Sequence, residues 1–103
     1  MIIVKVTYTV KPDFVIKNKE KINEFIKDFK KINSNDFRCI AYVGEDGKTF
    51  RHISMYKNKA IQKQLLAVKS FKSFQQQRNE SGLEVGEKVE MMKLVGASYN
   101  IFY

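Results

Sequence analysis

The chain has 103 residues, the size of one domain that can bury its own core. Hydrophobic residues make up 44% of it and charged residues 29%, which is typical of a folded globular protein and excludes a disordered chain. Cys39 is the only cysteine, so no intramolecular disulfide is expected. The apolar start is interrupted at Lys5, and no run of about 18 apolar residues follows. We therefore expect one soluble domain, residues 1–103, in the cytoplasm.

The formal charge of +8 raises the question of a nucleic-acid or membrane partner. The lysines are scattered, however, and many of them surround the apolar stripe of one predicted helix. No arginine-rich run or RNA-binding aromatic motif accompanies them. The pattern favours a solvated lysine-rich surface, so we expect no specific nucleic acid and no membrane as partners.

The first third of the chain predicts a strand followed by a helix. Residues 2–10 alternate between two faces, and one face carries Val4, Val6, Tyr8 and Val10. Lys11-Pro12 breaks this strand, and Asp13 is placed to cap the helix that follows. Apolar side chains then recur at steps of three and four residues, at Ile22, Phe25, Ile26, Phe29 and Ile32. The polar segment 33–36 ends the helix, one face of which must pack on a sheet.

The rest of the chain predicts a hairpin, a second helical region and a last strand. Residues 37–43 and 49–56 have the composition of strands, and Asp46-Gly47 between them is typical of a hairpin turn. Asn58 is placed to cap a helix, and Ser70 to open a short continuation of it. The helix carries Ile61, Leu65 and Leu66, and its continuation has Phe71 and Phe74 facing inward. Residues 79–82 end it, and alternation over residues 88–95 predicts the fourth strand.

The order of these elements is βαββαβ. We therefore expect an α+β protein with a ferredoxin-like, four-stranded antiparallel sheet and its helices on one face. The other face would be uncovered, although Ile3, Ile40 and Ile53 place apolar groups on it. A second copy of the chain, related by a two-fold axis, would cover that face. We expect a homodimer formed through sheet faces, with the aromatic tail of residues 96–103 docking on the partner subunit.

Two segments resemble the antibiotic-biosynthesis-monooxygenase family, whose members are dimeric α+β barrels. Val10-Lys11-Pro12 stands where members of the family have a Val-Lys-Pro-Gly-like turn into the first helix. Residues 66–74 read Leu-Ala-Val-Lys-Ser-Phe-Lys-Ser-Phe and resemble the family's Leu-Ala-Ser-Pro-His-Phe-Lys-Ala-Phe stretch. The similarity extends over nearly the whole chain, and its motifs bear on fold more than on chemistry.

The resemblance implies a cavity between sheet and helices and a cofactor-independent monooxygenase-like activity on a small aromatic or quinol compound. It therefore implies no cofactor. The family's histidine before the Leu-Ala step falls on Leu65, and the Asn, Trp and His of haem-degrading relatives fall on Val6, Leu65 and Gln75, so haem degradation is not expected. The missing histidine keeps a second hypothesis open, a non-catalytic homodimer that binds a small hydrophobic ligand or has a stress-related role.

The candidate catalytic residue is His52, the only histidine, as a proton acceptor for a phenolic substrate. Tyrosines from three predicted strands would supply hydroxyls to an apolar pocket that two phenylalanines close. The predicted substrate-binding residues are thus Tyr8, Tyr42, Tyr56, Phe71 and Phe74. The alternative for each of them is core packing, since aromatic residues at strand and helix periods need no ligand to explain them.

Other reactive residues have simpler interpretations. Cys39 has no evident base, which favours a small buried apolar residue over a nucleophile. Arg38 and Arg51 could bind an anionic group, but their hairpin positions equally fit exposed cross-strand charges. One histidine, one cysteine and scattered acids give no ligand spacing, so no metal site is predicted. A nucleic-acid module of the same strand order is a third hypothesis, although Ile3 and Ile53 stand where stacking rings would be useful.

Overall fold

The computed structural model describes residues 1–32 and 35–102, so Asn33, Ser34 and Tyr103 lie outside the described residues. Its strands and helices follow one another as β1 (Ile2–Thr9), α1 (Val15–Lys31), β2 (Phe37–Val43), β3 (Thr49–Tyr56), α2 (Lys59–Leu66), α3 (Lys69–Glu80) and β4 (Val85–Met92). A single 3-10 turn at Pro12–Phe14 leads into α1. The predicted α+β class and ferredoxin-like strand order are confirmed, with the second helical region divided into α2 and α3.

The four strands form one antiparallel sheet in the order β2-β3-β1-β4. His52 at the middle of β3 pairs with Ala41 of β2 and with Val6 of β1, and Val6 pairs with Val89 of β4. Because directly paired residues of antiparallel strands point to the same side, these four side chains share one face. The helices cover that face, which is therefore the inner side of the sheet.

The core lies between this inner face and the helices, and aromatic side chains dominate it. Fully or almost fully buried residues of the core include Tyr8, Phe25, Phe50, Leu65 and Phe74. The rings of Phe25 and Phe74 pack with centroids 4.9 Å apart, which joins α1 to α3. Burying each such ring stabilises the fold by roughly 1.5–3 kcal/mol. The predicted apolar stripe of α1 supplies the side chains with which this helix packs into the core.

Of the three predicted helix starts, one is confirmed and two are wrong. The Asn58 side-chain oxygen accepts a hydrogen bond from the Ile61 amide at 3.0 Å, so Asn58 caps α2 as predicted. Asp13 does not cap α1, because Pro12 starts a 3-10 turn that carries the chain past Asp13 to Phe14. Ser70 does not cap α3, which begins one residue earlier after Val68 and continues for 12 residues. The predicted short continuation is thus a full helix.

Two strand boundaries also differ from the predictions. β1 ends at Thr9, one residue before the predicted end, although the Val10 amide still donates to the carbonyl of Lys48 at 3.0 Å in the same register. β4 covers residues 85–92 instead of 88–95, since Ile3, near the start of β1, already pairs with Met92. Among the described residues, none after Met92 pairs with β1. The fourth strand therefore ends where its neighbour begins.

The hairpin between β2 and β3 is formed as predicted. Gly47 adopts a positive φ of 75°, a conformation that glycine takes without steric cost. Asp46 accepts hydrogen bonds from the backbone amides of Lys48 and Thr49 at 3.0 and 2.9 Å. The Thr49 hydroxyl donates a further hydrogen bond to the Asp46 carboxylate. This bond, followed by the two backbone bonds, lowers the pKa of the Asp46 carboxyl to about 2.

The outer face of the sheet and the C-terminal tail bear on the expected dimer. Ile40 is 45% exposed on the outer edge of the sheet, whereas Ile3 is buried within the single chain. In the tail, Ile101 is buried within its own subunit and Tyr99 is 68% exposed. Part of the tail therefore packs on its own chain. Docking of the tail on a partner subunit stays a prediction.

Candidate functional site

A cavity of about 210 Å³ lies between the inner face of the sheet and the helices. Its walls are mainly apolar and aromatic, and they include Val6, Phe25, Phe71 and Phe74. Two further lining residues, Leu66 on α2 and Val89 on β4, have exposed side chains, so the cavity reaches solvent there. Cavities of this kind, apolar with a few polar groups, are the usual sites for small ligands.

The cavity brings together four of the six predicted site residues. His52 and Tyr56 approach it from β3, and Phe71 and Phe74 approach it from α3. Strand alternation explains the first pair, because residues 50, 52, 54 and 56 share the inner face. The spacing of three residues along a helix explains the second pair. These are the positions that period-2 and period-3.6 patterns specify most directly.

The other two predicted residues lie elsewhere. Tyr42 pairs with Arg51 on the outer face of the sheet and is 54% exposed, so it does not line the cavity. It follows Ala41, which does line the cavity, and successive strand residues point to opposite sides. Tyr8 is on the inner face but has no exposed surface and lies behind His52, outside the cavity lining. Its contact is with His52 and not with the cavity.

A buried chain of hydrogen bonds ends at His52. The Asn18 side-chain amide of α1 donates to the Tyr8 hydroxyl at 2.9 Å, and that hydroxyl lies 2.8 Å from His52 Nε2. Because the Tyr8 oxygen accepts from Asn18, its own proton is available for Nε2. A neutral imidazole that accepts at Nε2 carries its proton on Nδ1. The chain thus selects the tautomer in which Nδ1–H is the remaining donor of His52.

The surroundings of His52 and Tyr8 favour their neutral forms. Burial, assisted by the nearby positive charge of Arg78, lowers the pKa of His52 to about 4. Burial raises the pKa of the Tyr8 phenol well above its usual value, against the Asn18 hydrogen bond, which lowers it. Both groups are therefore uncharged near pH 7. The cavity presents a neutral imidazole, not an imidazolium.

Arg78 of α3 is a site residue that sequence reasoning missed. It lines the cavity, is only 4% exposed, and forms an ion pair with Glu87 of β4, whose oxygen lies 2.5 Å from Nη2. The centre of the guanidinium lies 4.9 Å from the ring of Tyr8 and 5.4 Å from that of Phe74, within the range of cation–π attraction. A buried cation thus stands beside the aromatic wall.

The sequence did contain signals for the missed polar residues. Arg78 follows Phe71 and Phe74 at helical spacing, so a charge occupies a position of the apolar stripe. Asn18 lies four residues before Ile22 on the inward face of α1 in the same way. A polar residue in a buried stripe is the informative observation, since buried polar groups need a partner.

Cys39 and Ser54 add two small polar groups to the cavity wall. Burial raises the pKa of the Cys39 thiol, and a hydrogen bond with Ser54 lowers it in part. The thiol is therefore protonated near pH 7, and a thiol is a much weaker nucleophile than a thiolate. Cys39 is partly buried, and its protonated thiol agrees with a packing role more than with that of a nucleophile.

The described residues contain neither a metal site nor a membrane-spanning helix. Within residues 1–32 and 35–102, no group of three or more His, Cys, Asp or Glu side chains is placed to hold a metal ion. No helix in the same part of the chain is both long and apolar enough to cross a membrane.

The fold is shared with solved proteins of low sequence identity. A crystal structure of an antibiotic biosynthesis monooxygenase matches with a TM-score of 0.79 and 15% identity, over 93% of this chain and 100% of that one. Rv0793 from Mycobacterium tuberculosis matches with a TM-score of 0.77 and 13% identity, over 95% and 98% of the two chains. A conserved protein from Methanosarcina mazei Go1 matches with a TM-score of 0.75 and 16% identity, over 89% and 90%.

No protein-family model and no curated protein sequence matches the chain. At 13–16% identity the structural likeness establishes the fold alone. The chain therefore has the fold of antibiotic-biosynthesis-monooxygenase-type proteins, as the motifs at residues 10–12 and 66–74 indicated. What this cavity does has to be argued from its own residues.

Proposed function

We propose that this protein is a cofactor-independent, monooxygenase-like enzyme that acts on a small aromatic or quinol compound. The observation that carries the proposal is the cavity itself, which places a neutral histidine and a buried arginine against a wall of phenylalanine rings. The shared fold with a solved antibiotic biosynthesis monooxygenase supports it.

The size and walls of the cavity suit a ligand with one or two rings. An apolar cavity of about 150 Å³ in another protein holds benzene, and this cavity measures about 210 Å³. Phe25, Phe71 and Phe74 surround it, with the rings of Phe25 and Phe71 almost perpendicular at a centroid distance of 5.1 Å. Such rings make stacked or edge contacts with a flat aromatic ligand.

The proposed reaction uses the electrons of the substrate. A hydroxylated aromatic ring in its anionic form transfers electrons to O₂, and a new carbon–oxygen bond forms at a ring carbon that loses its hydrogen. One oxygen atom enters the product, a quinone, and the other leaves as water. The substrate supplies all four electrons, so the step balances without a further reductant. The protein contributes orientation and a water-poor environment for the anion.

The role that we propose for His52 is hydrogen-bond donation to the substrate oxygen. As a base, a histidine with a pKa of about 4 would face a phenol of pKa about 10, an uphill transfer of about 8 kcal/mol at 1.36 kcal/mol per pKa unit. Donation from Nδ1–H needs no such transfer, and the bond from Tyr8 to Nε2 supports it. Tyr8 is thus a positioning residue, and Tyr56 is a contact of the substrate at the cavity wall.

The proposed assembly is a homodimer formed through the outer faces of the sheets. The exposed apolar side chains at Ile40 and Met92 support it, together with Ile53 between them in the sheet. Light scattering on the purified protein should give the mass of two chains, and Ile53→Glu should shift the protein toward the monomer. A wild-type monomer would contradict this assembly.

A second candidate function is non-catalytic binding of a small hydrophobic ligand. The low pKa of His52 favours it, since the cavity then has no strong base. Oxygen uptake distinguishes the two functions. A panel of one- and two-ring phenols and hydroquinones, tested without flavin or metal, should include a compound whose oxygen consumption rises in proportion to enzyme. Saturable binding across the panel without such uptake would support the binding protein and contradict the enzyme.

A further inference from the structure

Arg78 is a buried cation whose hydrogen-bonding capacity is only partly used. A guanidinium has five N–H donors. Nε donates to the Asn79 side-chain oxygen at 3.2 Å, and Nη2 contacts Glu87 at 2.5 Å. The centre of the guanidinium also lies 4.9 Å from the ring of Tyr8 and 5.4 Å from the ring of Phe74. These hydrogen-bond and ion-pair contacts are made by Nε and Nη2, and Arg78 also lines the cavity.

The counter-ion of Arg78 is held less firmly than Arg78 itself. The Glu87 side chain is 36% exposed, whereas the Arg78 side chain is 5% exposed. Glu87 also belongs to β4, which is an edge strand of the sheet. Its carboxylate can therefore turn to water when another anion takes its place on the guanidinium, which stays buried in either case. An incoming anion could share or replace Glu87.

The remaining titratable groups of the cavity wall are uncharged near pH 7. His52 has a lowered pKa of about 4, and the pKa values of the Cys39 thiol and the Tyr56 phenol are raised by burial. Arg78 and Glu87 are thus the two charged groups of the lining. Once Glu87 turns away, the field in this apolar cavity comes from Arg78 alone and favours a negative ligand.

We propose that the cavity binds its aromatic ligand as an oxyanion, seated on the guanidinium of Arg78 in competition with the carboxylate of Glu87. The inference rests on the proposed function, because it concerns the same cavity and defines the ionised phenol or enol as the form that binds. It also explains how a cavity without a strong base is supplied with an anion, since the ligand loses its proton to water and the charged form is retained.

The probe for this test is 4-nitrophenol, whose phenol and phenolate forms absorb at different wavelengths. Its methyl ether, 4-nitroanisole, has nearly the same shape and cannot ionise. Bound 4-nitrophenol should ionise at a pH at least one unit below that of the free compound, which corresponds to a tenfold preference for the phenolate. Ionisation at the same or a higher pH would overturn the inference and leave the proposed function standing. Failure of both probes to bind would contradict both.

Two variants assign the effect to the ion pair. Arg78→Met should weaken binding of the phenolate at least tenfold more than it weakens binding of 4-nitroanisole. Glu87→Gln should increase the preference, because it removes the competing charge and keeps the fold of β4. Matched controls are Lys72→Met and Glu80→Gln, which remove one charge each from exposed positions of α3. If Arg78→Met does not fold, Glu87→Gln decides, and an unchanged or weaker preference in it would overturn the inference.

Discussion

The hydroxyl of Tyr8 lies 2.8 Å from Nε2 of His52, and the two rings stack at a centroid distance of 5.4 Å. Tyr8 has no exposed surface, so this contact is made entirely inside the protein. Asn18 of α1 donates to the same hydroxyl at 2.9 Å. The Tyr8 oxygen accepts a hydrogen bond from Asn18, which leaves its own hydroxyl proton available for donation to Nε2 of His52. The chemistry of His52 therefore depends on a residue that does not touch the cavity.

Tyr8→Phe should change the tautomer of His52. Without the hydroxyl, Nε2 has no donor, and the share of molecules with the proton on Nε2 should rise. Nitrogen NMR of the single histidine measures this share directly. The variant should also lose about 1–3 kcal/mol of stability, since Asn18 becomes unpaired inside the protein. Tyr99→Phe in the exposed part of the tail is the control, and an unchanged His52 spectrum in Tyr8→Phe would contradict the assignment.

The lowered pKa of His52 predicts a dependence of stability on pH. The unfolded chain takes up the histidine proton near pH 6.5 and the folded chain only near pH 4. The unfolded state therefore binds more protons between these values, and the free energy of unfolding falls as the pH decreases from 6.5 to 4. The loss attributable to His52 is about 3 kcal/mol at 1.36 kcal/mol per unit. Urea unfolding across this range measures it.

His52→Gln provides the control for this dependence, because glutamine does not titrate. The variant should show a flatter stability profile between pH 6.5 and 4. Asp46 has a pKa lowered to about 2, so its contribution is lost at lower pH, below about 4, and does not overlap. An equal slope in wild type and His52→Gln would mean that His52 is not the group responsible.

Filling the cavity should remove ligand binding and spare the fold. Ala41 on β2 lines the cavity and pairs with His52, so Ala41→Leu places three more carbon atoms in the open space. Binding of a two-ring ligand should weaken at least tenfold, while stability should change by less than about 1.5 kcal/mol because the added group occupies existing space. Ala60→Leu on the exposed side of α2 is the matched control. Undiminished binding in Ala41→Leu would place the ligand elsewhere.

Loss of the Asn58 cap should lower both the stability of α2 and the affinity of the cavity for its ligand. Asn58→Ala removes the acceptor of the Ile61 amide and should cost about 1 kcal/mol. Because Gln62 and Leu66 of the same helix line the cavity, ligand affinity should also fall. Asn58→Asp retains an oxygen and should preserve both properties. Calorimetric titration and thermal unfolding of the two variants measure the effects, and equal values for both would exclude a role for the cap.

Much of the fold could be predicted from the sequence because it depends on periodicity. The alternation of β1, the stripe of α1, the Asp46-Gly47 turn and the Asn58 cap are local signals, and each was sufficient at its position. The predicted start of α1 and the predicted range of β4 were wrong, the first for a local reason and the second because of pairing with a distant strand. Pro12 started a 3-10 turn before the helix, and β4 took its register from its pairing with β1.

The candidate site was less predictable because it depends on what lies behind each side chain. Periodicity alone predicts which side chains of a strand or helix face the cavity, and this is sufficient for His52, Tyr56, Phe71 and Phe74. Tyr8 was assigned to the correct face, but its depth behind His52 is a property of packing. The ion pair of Arg78 with Glu87 joins a helix to an edge strand, and the sequence pattern gave no register between those two elements. The sequence shows that Asn18 and Arg78 interrupt apolar stripes, but it does not show which residues are their hydrogen-bond or ion-pair partners.

The central claim is that oxygen from O₂ enters a small aromatic substrate in this cavity. The most direct measurement is mass spectrometry of the product formed under ¹⁸O₂, without flavin or metal, from a phenol or hydroquinone that the protein binds. The account predicts one ¹⁸O atom in each product molecule, formed by wild type and Ala60→Leu and greatly reduced in Ala41→Leu. Unlabelled product, or labelled product formed equally by Ala41→Leu and by buffer alone, would contradict it.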